Sequence, residues 1–437
     1  MISKKFDFLL CLFIIETMIA QQIVLDNKLK IIIINQPQST TTTAMVFVKA
    51  GSLYETKNIN GISHFLEHLC FKGTTKRPNQ LAIATELEKL GSEYNALTSH
   101  EYTAYFIKSQ NKNLDKILDI LADIYLNSLF NPQDIEMEKG PIIEEINMYE
   151  DIPMSKVQEL FLALVYGDQP AGWPIAGTKE NVLKINQEKI LNYRQAHYSA
   201  QTTTIVIAGG FENKNIIQDI QNLFKNINTN PTIPKQQTIE NQNKPQYKIL
   251  NKKSDQTHLV LGFKTTNIFD DDKYALDLLA NMLGGGMGSR LFQKIRTQLG
   301  IAYYIKSSTD FFTDHGLLTI SAGIDGNKIN DAINIILDEC NSFKTNVPSS
   351  ELQKAKEYTI GQLLLSLETS DEVSLYYGLQ DAVGLPLMNP DELIQKINMV
   401  TEQNIQNVAK KYFTNDRLNL AVLGPLINQN FDGILKV

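Results

Sequence analysis

Residues 190–209 run through a helical stretch, a tyrosine, an apolar strand and a glycine, and residues 405–424 run through the same series. The amphipathic segment 114–124 returns at the same spacing as 329–339, and Leu90-Gly91 finds a counterpart in Leu299-Gly300. Self-similarity over about 200 residues means one folding unit used twice. Between the copies, residues 229–246 hold Pro231, Pro234 and Pro245 among a run of asparagines and glutamines, the composition of a linker. The chain therefore divides into a unit at 21–228, a linker at 229–247 and a second unit at 248–437.

In the first copy, residues 22–25 and 28–34 are β-rich runs joined at Asp26-Asn27. Residues 44–50 form another strand, and 94–98 with 102–108 alternate as a hairpin. Apolar spacing predicts helices over 80–90, 114–126, 134–149, 157–166 and 190–197. Strands joined largely by hairpins, with helices gathered between them, fit the α+β class. The expected fold is two tandem homologous α/β units, each an antiparallel sheet with helices packed on one face.

With 43% hydrophobic and 20% charged residues, the composition is that of an ordinary globular protein. A net charge of −7 without any basic cluster argues against nucleic acid as a partner. Cys11, Cys70 and Cys340 are odd in number and far apart, so they make no disulfide framework. The first twenty residues form a leader of ambiguous kind. Lys4-Lys5 ahead of an apolar run from Phe8 to Ile15 resembles a weak export signal with Ala20 at its end. The run is short and bracketed by Asp7 and Glu16, and Met18 offers an alternative start, so the favoured location is the cytoplasm.

The chemistry of the first copy lies in Gly61-Ile62-Ser63-His64-Phe65-Leu66-Glu67-His68-Leu69-Cys70-Phe71-Lys72-Gly73-Thr74. It reads as one short helix, capped by Ser63 or Asn60 and stopped by Gly73. His64 and His68 are four apart, so both imidazoles leave one helical face toward one point. Glu67 lies on the same side. Only six histidines occur in the chain, and the helix around these two is largely apolar. Buried polar groups need partners, and a metal ion supplies them. Neutral imidazoles at this spacing suit zinc, and a carboxylate that is not a ligand can take a proton from water held there. Cys70 falls on the other side of the helix and reads as core. Where this helix should recur, around 274–283, the second copy has Asp277, Leu279, Ala280 and Asn281 and no histidine pair.

Two histidines leave a zinc site one protein ligand short, and in hydrolases that ligand is often a carboxylate. The stretch from Asp134 to Met148 offers candidates. Glu138 and Glu145, two turns apart, share a face, while Glu144 points about 100° away from Glu145. A solvated acidic helix would account for the glutamates alone, but Ile142, Ile143 and Ile146 surround them. Gly140-Pro141 interrupts the pattern, and proline in a helix clashes with the carbonyl four residues back, so a kink is expected between Glu138 and Glu145.

Taken together, His64-Phe65-Leu66-Glu67-His68 and Glu145, 76 residues intervening, resemble the pitrilysin/insulinase family of zinc peptidases. This is the inverted zinc-protease helix motif. The resemblance is closest to the subfamily of mitochondrial processing peptidase and its bacterial relatives. Phe71-Lys72-Gly73-Thr74, Asn95-Ala96 with Thr98, Gly172-Trp173-Pro174 through Thr178, and Leu283 through Phe292 match as well, so the resemblance spans residues 22–426. It implies one zinc per chain held by His64, His68 and Glu145, with Glu67 as general base and Glu138 as a supporting acid that orients a ligand. It also implies an extended peptide laid along the edge strand at Asn95-Ala96. Arg296 and Tyr303 match a family pair that holds the substrate carbonyl, where a guanidinium and a phenol suit developing negative charge. A salt-bridged arginine and a core tyrosine are the plainer account of that pair.

These implications add up to an endopeptidase for unfolded peptides, working in an enclosed chamber completed by a homodimer. A non-catalytic assembly subunit is the alternative from another class, and the complete set with Glu67 argues against it. A third is a lyase resembling S-ribosylhomocysteine lyase, but such chains are a single short unit.

Overall fold

The computed structural model describes residues 18–426 and 429–437; residues 1–17 of the leader, with Cys11, lie outside the described residues. Eleven strands are described: β1 Gln21–Val24, β2 Lys30–Asn35, β3 Thr41–Val48, β4 Glu93–Thr98, β5 Thr103–Gln110, β6 Thr203–Gly209, β7 Gln246–Asn251, β8 Thr257–Lys264, β9 Ala302–Phe311, β10 Gly316–Ile324 and β11 Leu418–Gly424. They form two sheets, in the orders β1-β2-β6-β3-β5-β4 and β7-β11-β8-β10-β9. Position by position, β7, β11, β8, β10 and β9 repeat β2, β6, β3, β5 and β4. The duplication in the sequence is thus a duplication of sheet topology.

Two features go beyond the sequence expectation of antiparallel sheets covered on one face. Each sheet contains one parallel pair, β2 with β6 and β7 with β11. Both members of the first pair are buried on both faces, as parallel strands usually are. The run Lys30-Ile31-Ile32-Ile33-Ile34-Asn35 carries that signal, being continuous where a half-exposed strand would alternate. Ile31 and Ile33 enter one core, with Phe65, Leu66, Leu118, Leu121, Ile190 and Ile220 from helices on that side. Ile32 and Ile34 enter the other, with Phe47, Val206, Val373 and Tyr377.

Val373 and Tyr377 belong to helix Ser370–Ala382, far along the chain. The compact units are accordingly interleaved in sequence: one gathers residues to 146, 174–236 and 363–393, the other 147–173, 237–362 and 394–437. Asp381 fixes the late helix to the first sheet, accepting from Gln22 Nε2 at 2.9 Å, Lys30 Nζ at 2.7 Å and Thr204 Oγ1 at 2.5 Å. Lys108 Nζ meets Asp371 at 2.7 Å, and Ser370 and Thr43 hydroxyls lie 2.8 Å apart. In the second unit, helix Pro153–Tyr166 takes the equivalent place against β7, β8 and β11, with Phe161 lying over Gly262. Residues 227–245, the proline-bearing stretch, contain no helix or strand.

Gly378 shows how close this packing is. A Cβ added there would lie 1.9 Å from Cε2 of the fully buried Phe47. Gly361 lies inside helix Ser349–Leu365 with nothing within 4 Å of the same position. Gly378→Ala is therefore expected to cost about 1–3 kcal/mol through overpacking. Gly361→Ala is expected to gain about 0.5–1 kcal/mol from helix propensity. Urea unfolding of both variants checks the pair; equal effects would mean that helix 370–382 is not seated on Phe47.

Candidate metal centre

Helix Ile62–Leu69 presents its apolar side chains Ile62, Phe65, Leu66 and Leu69 to the core, all at most 1% exposed. That burial fixes its rotation and sends the imidazoles of His64 and His68 off one side. Its ends differ from the sequence expectation. The N-cap is Gly61 at φ +99°, without a side-chain cap of its own, and Cys70 closes the helix ahead of Gly73. Ser63 and Asn60 are otherwise engaged: the Ser63 hydroxyl lies 2.8 Å from that of Tyr193, and Asn60 Nδ2 donates to Glu55 at 2.9 Å. The cap comes from Glu55, whose carboxylate accepts from Gly61 N–H and Ser63 N–H, both at 2.8 Å. Gly61 is needed where it stands, since a Cβ there would meet the Ala176 carbonyl oxygen at 2.6 Å.

The second contributing element is helix Pro132–Asp151, which runs through Pro141 as one continuous helix. The expected kink thus produces no break in it. Proline disfavours helical conformation in the preceding residue by clashing with that residue's backbone N–H and its Cβ. Here the preceding residue is Gly140, with no Cβ and open space around it. Glu138 and Glu145 both reach the histidines. Glu145 Oε2 lies 3.5 Å from His64 Nε2 and 3.6 Å from His68 Nε2. One donor atom from each of the three residues falls within 4.8 Å of the others, a grouping that could hold a metal ion.

Glu138 stands behind this group. Its Oε1 lies 2.9 Å from His68 Nδ1 and its Oε2 2.5 Å from Lys72 Nζ. Burial pushes the Glu138 carboxyl up, but its hydrogen bonds with His68 and Lys72 outweigh that and hold it below the usual carboxylate range. An ionised Glu138 accepts the Nδ1 proton of His68, and in the neutral imidazole the Nε2 lone pair then faces an oxygen of Glu145. Two acceptors face to face repel, and a cation between them converts the repulsion into coordination. The donor set, two imidazoles and a carboxylate, is one that zinc takes. His64 is held differently: its Nδ1 is buried without a hydrogen-bond partner among the described residues, and its ring packs on that of His68 at 4.6 Å.

Glu67 stays out of the three-donor group. Its Oε2 accepts from Thr98 Oγ1 at 2.6 Å, which aims the carboxylate toward β4. That strand is the outer edge of its sheet, and it carries Asn95, exposed, and Ala96, half-buried, whose N–H donates to Asn95 Oδ1 at 2.9 Å. Arg296 and Tyr303 belong to the second unit. Arg296 lies in the π-helical stretch Phe292–Gln298 with its guanidinium 4.7 Å from the Phe292 ring centre, and Tyr303 on β9 is 71% exposed. The sequence singled out neither Glu55 nor Lys72 for a role. Lys72 lay in a quoted motif, and Glu55 caps from outside the helix.

Residues 30–179 match the family model described as Insulinase (Peptidase family M16). Over 404 residues the chain is 34% identical to the uncharacterized zinc protease YmxG of Bacillus subtilis, spanning 91% of this chain and 97% of that protein. The chain belongs to the M16, or insulinase, family of peptidases. Residues 184–358 match a second M16 model, the Peptidase M16 inactive domain. An uncharacterized zinc protease of Rickettsia felis is also 34% identical, over 92% of this chain and 96% of that one. Among solved structures, a protease from Helicobacter pylori aligns with a TM-score of 0.88 at 22% identity, covering 93% of this chain and 99% of that chain. A peptidase M16 inactive domain protein from Pseudomonas fluorescens aligns at 0.86 and 17%, covering 94% and 99%. At such identities the likeness speaks for the fold, the two-domain M16 architecture. The three-donor group of this M16 chain lies wholly within the part matched as insulinase.

Glu55 also makes the donor-bearing helix sensitive to pH. Burial pushes its carboxyl up from 4.5 to about 7 against the four hydrogen bonds that favour ionisation. The folded chain therefore holds this proton more tightly than the unfolded one. The resulting stability is fully present below pH 4.5 and is lost as pH rises through about 7. Glu55→Gln carries no titrating proton, so between about pH 5 and about pH 8 the parent should lose about 1–3 kcal/mol relative to it. Parallel urea-unfolding curves across that range would show that Glu55 stays ionised in the fold.

Proposed function

We propose that the chain is a zinc endopeptidase acting on unfolded peptides, with one zinc per chain held by His64, His68 and Glu145. The observation that carries this reading is the convergence of those three donors while Glu67, one residue from His68, is held apart by Thr98. The naming of its relatives as zinc proteases supports both the metal and the reaction. Bound zinc supplies a Lewis acid for the scissile carbonyl and for the attacking water. Glu67 takes the proton of that water and returns it to the leaving amine, a carboxylate working as base and then as acid. Thr98 keeps Glu67 on the side of β4. The open edge of β4 at Asn95 and Ala96 takes the substrate as an added strand, which fits extended peptides. A purely structural subunit would have no use for a base set beside the donors.

Two-fold homodimers are the commonest closed assembly, and the division of labour between the repeats suggests one here. The first repeat has the metal donors and the second has Arg296 and Tyr303. Our reading is that the partner's second unit completes each site, so that two chains enclose a chamber and the guanidinium and phenol steady the carbonyl oxygen.

Glu67→Gln is expected to bind zinc normally and to lose ~10² to 10⁴ in turnover. Glu145→Gln should lose zinc and activity together, by more than the ~10- to 100-fold typical of a residue that only supports a ligand. Glu144→Gln should be mild. Metal analysis beside a fluorogenic-peptide assay separates the three, and a Glu67→Gln protein with near-normal turnover would remove Glu67 from the mechanism.

Mixing tests the assembly. Glu67→Gln chains combined with Arg296→Ala/Tyr303→Phe chains should recover activity if the donors act across the dimer, because one of the two sites then has every group intact. If they act within one chain, the mixture stays at background. A fully active monomer by light scattering would also refute the dimer.

A further inference from the structure

We propose that Lys72 is a positioning residue for the metal centre, acting through Glu138 on His68; the proposal rests on the zinc reading above. The connection is continuous. Lys72 Nζ lies 2.5 Å from Glu138 Oε2, Glu138 Oε1 lies 2.9 Å from His68 Nδ1, and His68 Nε2 is one of the three converging atoms. Glu138 is 6% exposed, so its two oxygens have little water to turn to. A carboxylate that meets only the imidazole can rotate about its last torsion and offer either oxygen. Tying Oε2 to an ammonium leaves Oε1 in one place. The ring plane and tautomer of His68 then follow from the fixed oxygen, and the Nε2 lone pair is aimed before any metal arrives.

Lys72 is well built for this. It leaves the turn after the histidine helix, where its own N–H bonds the Leu69 carbonyl at 3.1 Å. The next residues are clamped. A Cβ on Gly73, at φ +153°, would meet the Pro78 carbonyl oxygen at 2.8 Å, and Thr74 Oγ1 donates to Asp123 at 2.5 Å. Arg77 bonds Glu86 at 2.7 Å, Asp119 at 2.9 Å and Asp123 at 2.8 Å. Gln80 Oε1 accepts from the same ammonium at 3.3 Å. The lysine is thus one member of a rigid corner, and its charge is directed at the carboxylate that orients His68.

The test measures zinc affinity of the full chain by competition with a chromophoric chelator, for parent, Lys72→Met, Lys72→Gln, Lys72→Arg, Glu138→Gln and Lys72→Met/Glu138→Gln. Thermal melts of the metal-free proteins report folding separately. Lys72→Met and Lys72→Gln should each weaken zinc binding ~10- to 100-fold, the range typical of groups that orient a ligand. Lys72→Arg should restore most of it, since the guanidinium can hold the same oxygen. On the Glu138→Gln background the lysine change should add little, because the two residues act in series. Unaltered zinc affinity in folded Lys72→Met or Lys72→Gln overturns the proposal, and so does full additivity with Glu138→Gln. His68→Ala is the control for the underlying reading. If it binds zinc as tightly as the parent, the metal assignment itself falls and this proposal with it. If it loses zinc while Lys72 is neutral in effect, only the role of Lys72 is lost.

Discussion

Two imidazole nitrogens and a carboxylate oxygen, each presenting a lone pair, face a common point in the first unit. Glu138 takes the Nδ1 side of His68, so the Nε2 side of that ring is the one turned to Glu145 and His64. Groups of that kind are stable near one another when a cation stands between them, and much of the surrounding structure serves to keep them there. The apolar side of helix Ile62–Leu69 fixes its rotation, Glu55 ties down its first turn, and the unbroken helix Pro132–Asp151 brings in both glutamates. Each support is itself buried or hydrogen-bonded, so the convergence of the three donors is held by ordinary packing energy.

The same economy appears in the repeat. Both halves of the chain fold to one sheet topology, yet only the first retains the histidine pair. In the second, helix Asp272–Gly284 packs on β9 and β10 with leucines and alanines buried along it. A duplicated unit needs its core to keep folding, whereas the histidine pair is not part of what the fold requires.

Much of this was legible in the residues. Spacing alone placed His64 and His68 on one face, because helical period leaves no other arrangement for positions four apart. The repeat was legible because strands and helices recur in the same order. Glu145 was harder: periodicity paired it with Glu138, but its meeting with the histidines depends on where a distant helix packs. Gly140-Pro141 leaves helix Pro132–Asp151 unbroken, and the glycine removes the Cβ part of the clash that a proline imposes on the residue before it. Glu55 and Lys72 could not be singled out, since each acts on a residue well away from it in sequence or through an intermediary. The second cover of each sheet was illegible for a related reason. The apolar spacing at 157–166 predicts a helix but not the sheet it covers, and the buried side of 370–382 includes Ser370, Ser374, Gly378 and Asp381, which give no apolar stripe to read.

That exchange of covers bears on how such a chain can come apart. The proline-bearing stretch at 227–245 looks like the seam between two halves. Cutting it would yield two fragments, each lacking the helix that closes its own sheet and each holding the one that closes the other's. Val373, Tyr377 and Asp381 would have to leave the first sheet, and Phe161 the second, before the pieces could separate. The halves are therefore joined twice, once by peptide bond and once by trade, and a nick in the linker leaves the second joint in place.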